Sequence, residues 1–228
     1  MTTTKPMLHG LTAAALLALP ALTLTPASAA PQAPAPQRMS LADAVKALPQ
    51  APESRQNHER TGATDRPDDQ GCTTRAKVLI AESRTAPVIE GPCTVTSGTW
   101  YSYYDGRTVT DPRALAVSHT VPLAEAQDSG AWRWSAQRRH AYAHDLDAEA
   151  GLLAVTQESS RSKADQDPAQ WLPPLADARC TYAAEWTGTK LRWGLSADRA
   201  EVTALAALAE GCGRQEVTYV QAPETPRT

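Results

Sequence analysis

The chain has 228 residues, 42% hydrophobic and 21% charged, with 18 prolines, four cysteines and no phenylalanine. That length accommodates one or two domains, and the composition excludes wholly disordered, collagen-like and multi-pass membrane chains. A net charge of −3 excludes a polycation that grips nucleic acid by bulk charge, so any nucleic-acid site is a local patch.

The amino terminus comes first. Lys5 is the only formal charge before Arg38, residues 11–24 are rich in Leu and Ala, and Pro26-Ala27-Ser28-Ala29 follows. A short basic start, an apolar run and an Ala-x-Ala exit make a secretory signal peptide over residues 1–29. The run is too short, and too broken by Pro20 and Thr23, to cross a bilayer of ~30 Å, which takes ~20 residues. We therefore expect a secreted, extracellular protein with no membrane span, and a monomer. Export exposes the chain to oxidising conditions, where paired cysteines are the default. Cys72, Cys93, Cys180 and Cys212 allow three pairings, and sequence alone does not choose among them. The sequence-local pairing, Cys72–Cys93 with Cys180–Cys212, is the one we expect. No Cys-x-x-Cys or Cys/His pair stands at zinc spacing.

Residues 30–71 read as a Pro/Ala-rich linker and a polar lead-in, with one short helical piece at 41–48. Residues 75–83 read as a helix in which Ala76, Val78 and Leu79 share a face. Residues 95–104 are rich in Thr, Trp and Tyr and read as a strand, closed by the turn signal Asp105-Gly106. A second strand is expected at 114–121 and a helix at 135–146, with Arg138 and Arg139 on its polar side. A brief apolar run follows at 152–155. Residues 178–195 form a helix with Tyr182, Trp186 and Trp193 at helical spacing, which reads as core packing. Ser196 is expected to cap a last helix with Asp198 in its first turn, ended by Gly211 and Gly213. The expected fold is one α+β domain over residues 72–215, with a flexible tail at 216–228.

Two stretches carry chemistry. One is Val117-Ser118-His119-Thr120-Val121-Pro122-Leu123-Ala124-Glu125-Ala126 with Ser129-Gly130-Ala131-Trp132. The other is Ser160-Arg161-Ser162-Lys163-Ala164-Asp165-Gln166-Asp167-Pro168-Ala169-Gln170-Trp171-Leu172-Pro173. With Gly71-Cys72-Thr73-Thr74-Arg75, Tyr104-Asp105-Gly106 and Leu191-Arg192-Trp193-Gly194-Leu195, they resemble the secreted HNH (His-Me finger) endonucleases of actinobacteria. Those proteins share a domain with the C-terminal part of GmrSD-type restriction endonucleases. The resemblance spans residues 72–212 and implies a ββα-metal core, a β-hairpin followed by a helix, within extra disulfide-linked structure.

The resemblance also implies a reaction, metal-dependent phosphodiester hydrolysis of DNA or RNA. A neutral histidine acts as general base on water, and a divalent, Mg²⁺-like cation stabilises charge at the leaving oxygen. His119 falls on the base position. The metal positions fall on Ser118 and Ser160, where the family reads Asp and Asn, so both usual oxygen ligands are replaced. A further acidic position is Ala116, and an Asn-Asp pair is His144-Asp145. Glu125 or Asp145 is the expected replacement ligand, and His144 a nitrogen alternative. Arg138, Arg139, Arg161 and Lys163 are the expected phosphate contacts. His140 and His144 stand four apart on one helix face. Loss of the ligands leaves two readings: a weakened nuclease, or a catalytically dead pseudonuclease that persists as an extracellular binding module.

Overall fold

The structure is a computed structural model that describes residues 1–3, 35–54 and 64–224. The chain divides into two compact units, Met1–Ala33 and Pro34–Thr228. The expected signal peptide lies almost wholly outside the described residues. The second unit holds every element below.

Two paired strands sit at the centre of the fold, β6 (Leu115–His119) and β7 (Leu152–Thr156). They run antiparallel, with Leu115 opposite Thr156 and His119 opposite Leu152. All five residues of β7 are buried, because both faces of the strand are covered. Strand periodicity divides them. Leu152 and Ala154 join Val78, Leu79, Trp100 and Leu115 in a small cluster beneath α2 (Thr74–Glu82). Leu153 and Val155 face the main core with Tyr104, Val121, Tyr182 and Trp186.

Among the described residues the outer edge of β7 has no strand partner, and side chains satisfy its donors instead. The Ala154 amide donates to Glu82 at 2.9 Å and the Thr156 amide to the Ser102 hydroxyl at 3.0 Å. An unpaired buried amide would cost about 1–3 kcal/mol. Burial raises the Glu82 carboxyl to about pH 7, against the lowering effect of the Ala154 bond. The native state therefore holds a proton between pH 4.5 and 7 that the unfolded chain has released. Stability falls as pH rises through that window. In Glu82→Gln that slope is lost. Urea titrations will show the variant close to the parent near pH 5 and more stable by roughly 2 kcal/mol at pH 8. Parallel curves across that range would contradict the buried carboxyl.

The remaining strands pair locally. β2 (Val88–Glu90) pairs with β3 (Thr94–Ser97), and β4 (Trp100–Ser102) with β5 (Arg107–Val109). The single strand expected over 95–104 is thus two strands in two sheets. The Asp105-Gly106 turn closes the second hairpin, with Gly106 at φ 72°.

Two domain boundaries are corrected. Residues 35–54 are not linker, and 216–222 are not a flexible tail. β1 (Gln37–Ser40) pairs with β8 (Glu216–Tyr219), and α1 (Leu41–Ala47) buries Leu41, Ala44 and Val45 in the main core. Residue composition hid this, because Pro and Gln flank a short apolar anchor of Leu41, Ala44, Val45 and Leu48. The expected helix at 41–48 is present, capped by Ser40, whose hydroxyl accepts the Asp43 amide at 3.1 Å.

α3 (Leu123–Asp128) and α4 (Ala136–Ala143) fill the long connection between β6 and β7, and α5 (Gln157–Lys163) follows β7 directly. α6 (Arg179–Trp193) is buried on nearly every side from Tyr182 onward, which makes it the central helix. α7 (Arg199–Gly211) packs against it. Asp198, not Ser196, is the N-cap of α7, accepting the Glu201 amide at 2.8 Å. Both disulfides follow the sequence-local pairing. Cys72–Cys93 ties the start of α2 to the β2–β3 hairpin, and Cys180–Cys212 ties the start of α6 to the end of α7. Each closes a loop long enough to contribute about 3–4 kcal/mol in the chain-entropy account.

Candidate active site

His119 ends β6, and three elements converge on it. Its Nε2 lies 3.1 Å from the Ala143 carbonyl oxygen at the end of α4. A carbonyl only accepts, so Nε2 carries the proton and Nδ1 holds the lone pair. The ring stacks on Tyr142 at 5.9 Å. The His119 carbonyl accepts a bond of 3.2 Å from Lys163 Nζ on α5. Burial pushes the imidazole down to about pH 4; the bond to Ala143 opposes this, while the nearby Lys163 and His144 add to it. The ring is therefore neutral across the physiological range.

α5 is seated by the β4–β5 turn. Thr156 caps it by accepting the Ser159 amide at 3.2 Å. Asp105 accepts the Thr156 and Ser159 hydroxyls at 2.5 and 3.0 Å. Burial works against the Asp105 charge, but these hydroxyls and Ser102 hold its carboxyl below the usual range. The sequence therefore anchors the helix start by a turn aspartate some fifty residues away.

Neither expected metal position fits a cation. Ser118 Oγ makes only a long 3.4 Å bond to the His119 carbonyl, and Ser160 is a half-buried hydroxyl on α5. Neutral hydroxyls do not offset the dehydration of a Mg²⁺-like ion. The expected replacement ligands are corrected as well. Asp145 is bound by the Arg192 guanidinium at 2.7 and 2.9 Å and by Trp193 Nε1 at 3.0 Å. Glu125 is buried and accepts Lys190 Nζ at 2.8 Å and the Ser129 hydroxyl at 2.7 Å. Among the described residues, Glu53, Glu125 and Asp167 bring ligand atoms within 4.8 Å of one another, a set that includes none of His119, Ser118 and Ser160.

The expected phosphate contacts separate. Arg138 spans the Trp134 and Trp193 rings and donates to the Trp193 and Pro223 carbonyls. Arg139 donates to the Trp134 carbonyl and lines an apolar cavity of about 220 Å³ between α3 and α4. Lys163 is 0% exposed. These three are structural cations, because apolar surroundings and backbone acceptors claim their charge. Arg161 alone of the four faces solvent, held by Gln157 at 2.9 Å. It lines a polar trough of about 420 Å³ with Thr108, Thr110 and Arg107. Arg107 was not singled out in the sequence, and its place beside a turn carries no motif. The His140 and His144 rings do meet, tilted at 4.4 Å, but His144 Nδ1 lies 2.7 Å from the Thr74 hydroxyl and no third ligand joins them among the described residues.

The largest omission of the sequence reading is Lys190. It stands four residues after Trp186 and eight after Tyr182, on the buried stripe of α6, which is the signal that would have found it. Its Nζ meets Glu125, Glu201, Ser129 and the Ser196 carbonyl at 2.6–2.9 Å.

No family model matches the chain, and no solved structure matches it. A protein of the fungus Arthroderma benhamiae, described as an uncharacterized secreted protein, is 39% identical over 141 residues, covering 62% of this chain and 68% of the relative. The two disulfides fit the same compartment. The chain is a secreted protein and belongs to the family of this fungal secreted protein.

Proposed function

We propose that this chain is a secreted nuclease-type scaffold of the HNH, His-Me finger kind that hydrolyses nucleic-acid phosphodiesters at a strongly reduced rate. One observation carries the reading. The antiparallel pair β6–β7 runs without a gap into α5, with a neutral, proton-accepting His119 at the end of the first strand. Nδ1 of His119 takes a proton from the water that attacks phosphorus, while Ala143 and Tyr142 hold the ring in place. A base titrating near pH 4 is always available at neutral pH but weak. In the related family a divalent cation supplies charge stabilisation; the serines here do not fit it. Loss of one such electrostatic element costs about 10²–10³ in rate. Arg161 in the polar trough is the cation that meets a phosphate backbone, beside Arg107, which Glu158 pairs at 3.0 Å.

Incubation of the secreted protein with plasmid DNA and with RNA, over Mg²⁺, Mn²⁺, Ca²⁺ and Zn²⁺ in turn, tests the proposal. Slow nicking is expected, lost in His119→Ala and nearly flat between pH 6 and 8. A folded protein that cleaves neither substrate with any metal would overturn it. The commitment of Glu125 and Asp145 to internal ion pairs favours a second reading, a binding module without catalysis. Salt-dependent nucleic-acid binding without cleavage is its signature.

A further inference from the structure

Lys163 is the most deeply buried cation of α5 and touches no solvent. Its Nζ stands over Trp186 of α6, 5.5 Å from the ring centroid, and Lys190 Nζ stands at the same distance from that ring. Its hydrogen bond goes to a backbone oxygen, that of His119. The imidazole of the same residue is pinned at its other end by Ala143. His119 is thus gripped twice, through its ring from α4 and through its carbonyl from α5.

We infer that Lys163 is a positioning residue for His119, locking the end of β6 to α5, and is not a contact for phosphate. The grip is specific in geometry. β6 ends at His119, and the peptide plane that follows is held on its amide edge, where Thr120 donates to the Gly151 carbonyl at 3.1 Å. The Lys163 bond holds the carbonyl edge of the same plane, so a tilt that would swing the imidazole is opposed from both edges. Burying an ammonium for this purpose is costly. Burial draws its pKa down to about 7, with Asp165 and Glu125 acting in the opposite direction. The groups facing it are Glu125 from α3, Asp165 beyond α5, Trp186 from α6 and the His119 carbonyl from β6.

Only the kinetic arm of the test rests on the proposed nuclease reading; the spectroscopic and binding arms do not. Lys163→Met fills the same apolar slot without the donor, and Lys163→Arg retains a donor. In Lys163→Met the ¹⁵N and ¹³C signals of the His119 side chain are expected to shift and broaden, with loss of the single Nε2–H tautomer. Binding of a DNA duplex, and its salt slope, should stay at parental values. Any cleavage rate should fall about 10- to 100-fold in kcat with KM unchanged, the cost of a misplaced group. Where Lys163→Arg folds, its His119 signals should return toward the parent's. Unchanged His119 signals in a folded Lys163→Met protein would overturn the inference. So would a drop of about one in the salt slope, the mark of a lost phosphate contact. A parent that cleaves nothing would end the nuclease proposal and leave the spectroscopic arm intact.

Discussion

The double variant Ser118→Asp, Ser160→Asn is expected to cleave plasmid DNA at least about 10²–10³ times faster than the parent when Mg²⁺ or Mn²⁺ is present. The parent offers a hard cation two neutral hydroxyls, and the two expected replacement ligands, Glu125 and Asp145, are paired with Lys190 and Arg192. An aspartate on the end of β6 restores the anionic oxygen that offsets dehydration of the ion. An asparagine on α5 adds a carbonyl oxygen. His119 needs no change, since its ring is already neutral and oriented. Two measurements follow: nicking of supercoiled plasmid, and Mn²⁺ binding by calorimetry. The change leaves the core untouched, so both variant and parent should melt alike. A folded double variant that neither binds Mn²⁺ nor cleaves would show that the strand end is not a degraded metal site.

Lys190→Met is expected to cost about 3–5 kcal/mol of stability, the penalty for breaking a buried ion network by removing one partner. Lys190 is 0% exposed, and the two carboxylates it holds, Glu125 and Glu201, are at most 4% exposed. Without the ammonium both are stranded. Burial already raises the Glu201 carboxyl to about pH 7, an effect that Lys190 restrains. The deficit should therefore shrink as pH is lowered and the stranded carboxylates take up protons. Glu125→Gln and Glu201→Gln added to Lys190→Met should recover most of the loss, because a neutral network no longer buries unmatched charge. Urea denaturation at pH 5 and pH 8 checks both statements. A deficit below ~1 kcal/mol at pH 8 would mean that the network contributes little. The same logic holds Asp145 to Arg192, which is why neither acid is spare.

Much of the scaffold was legible in the amino-acid order. Helical spacing of Tyr182, Trp186 and Trp193 marked a core helix, and all three are buried. The strand expected at 114–121 contains β6, and the apolar run at 152–155 lies within β7. Export chemistry and proximity in sequence pointed to both disulfides. In each case the physical cause is local, a periodicity or a short loop, so neighbouring residues carry the whole signal. His119 stood out for the same reason, since a motif is a local pattern.

What each charge does was decided only by tertiary structure. Arg138, Arg139 and Lys163 look like a basic face in sequence, yet two are spent on backbone carbonyls beside tryptophans and one lies under the His119 carbonyl. Glu125 and Asp145 look like candidate ligands, yet partners 65 and 47 residues away claim them. Residues 37–40 look like linker until β8 pairs with them from the far end of the chain. A charge has no role until the fold chooses its dielectric and its partner, and that choice is made by contacts distant in sequence. The sequence by itself pointed to export, to the main helices and the strand at 114–121, and to the histidine at the strand end. The tertiary structure decided which ionisable groups remain available to anything outside the protein, and near His119 it left very few.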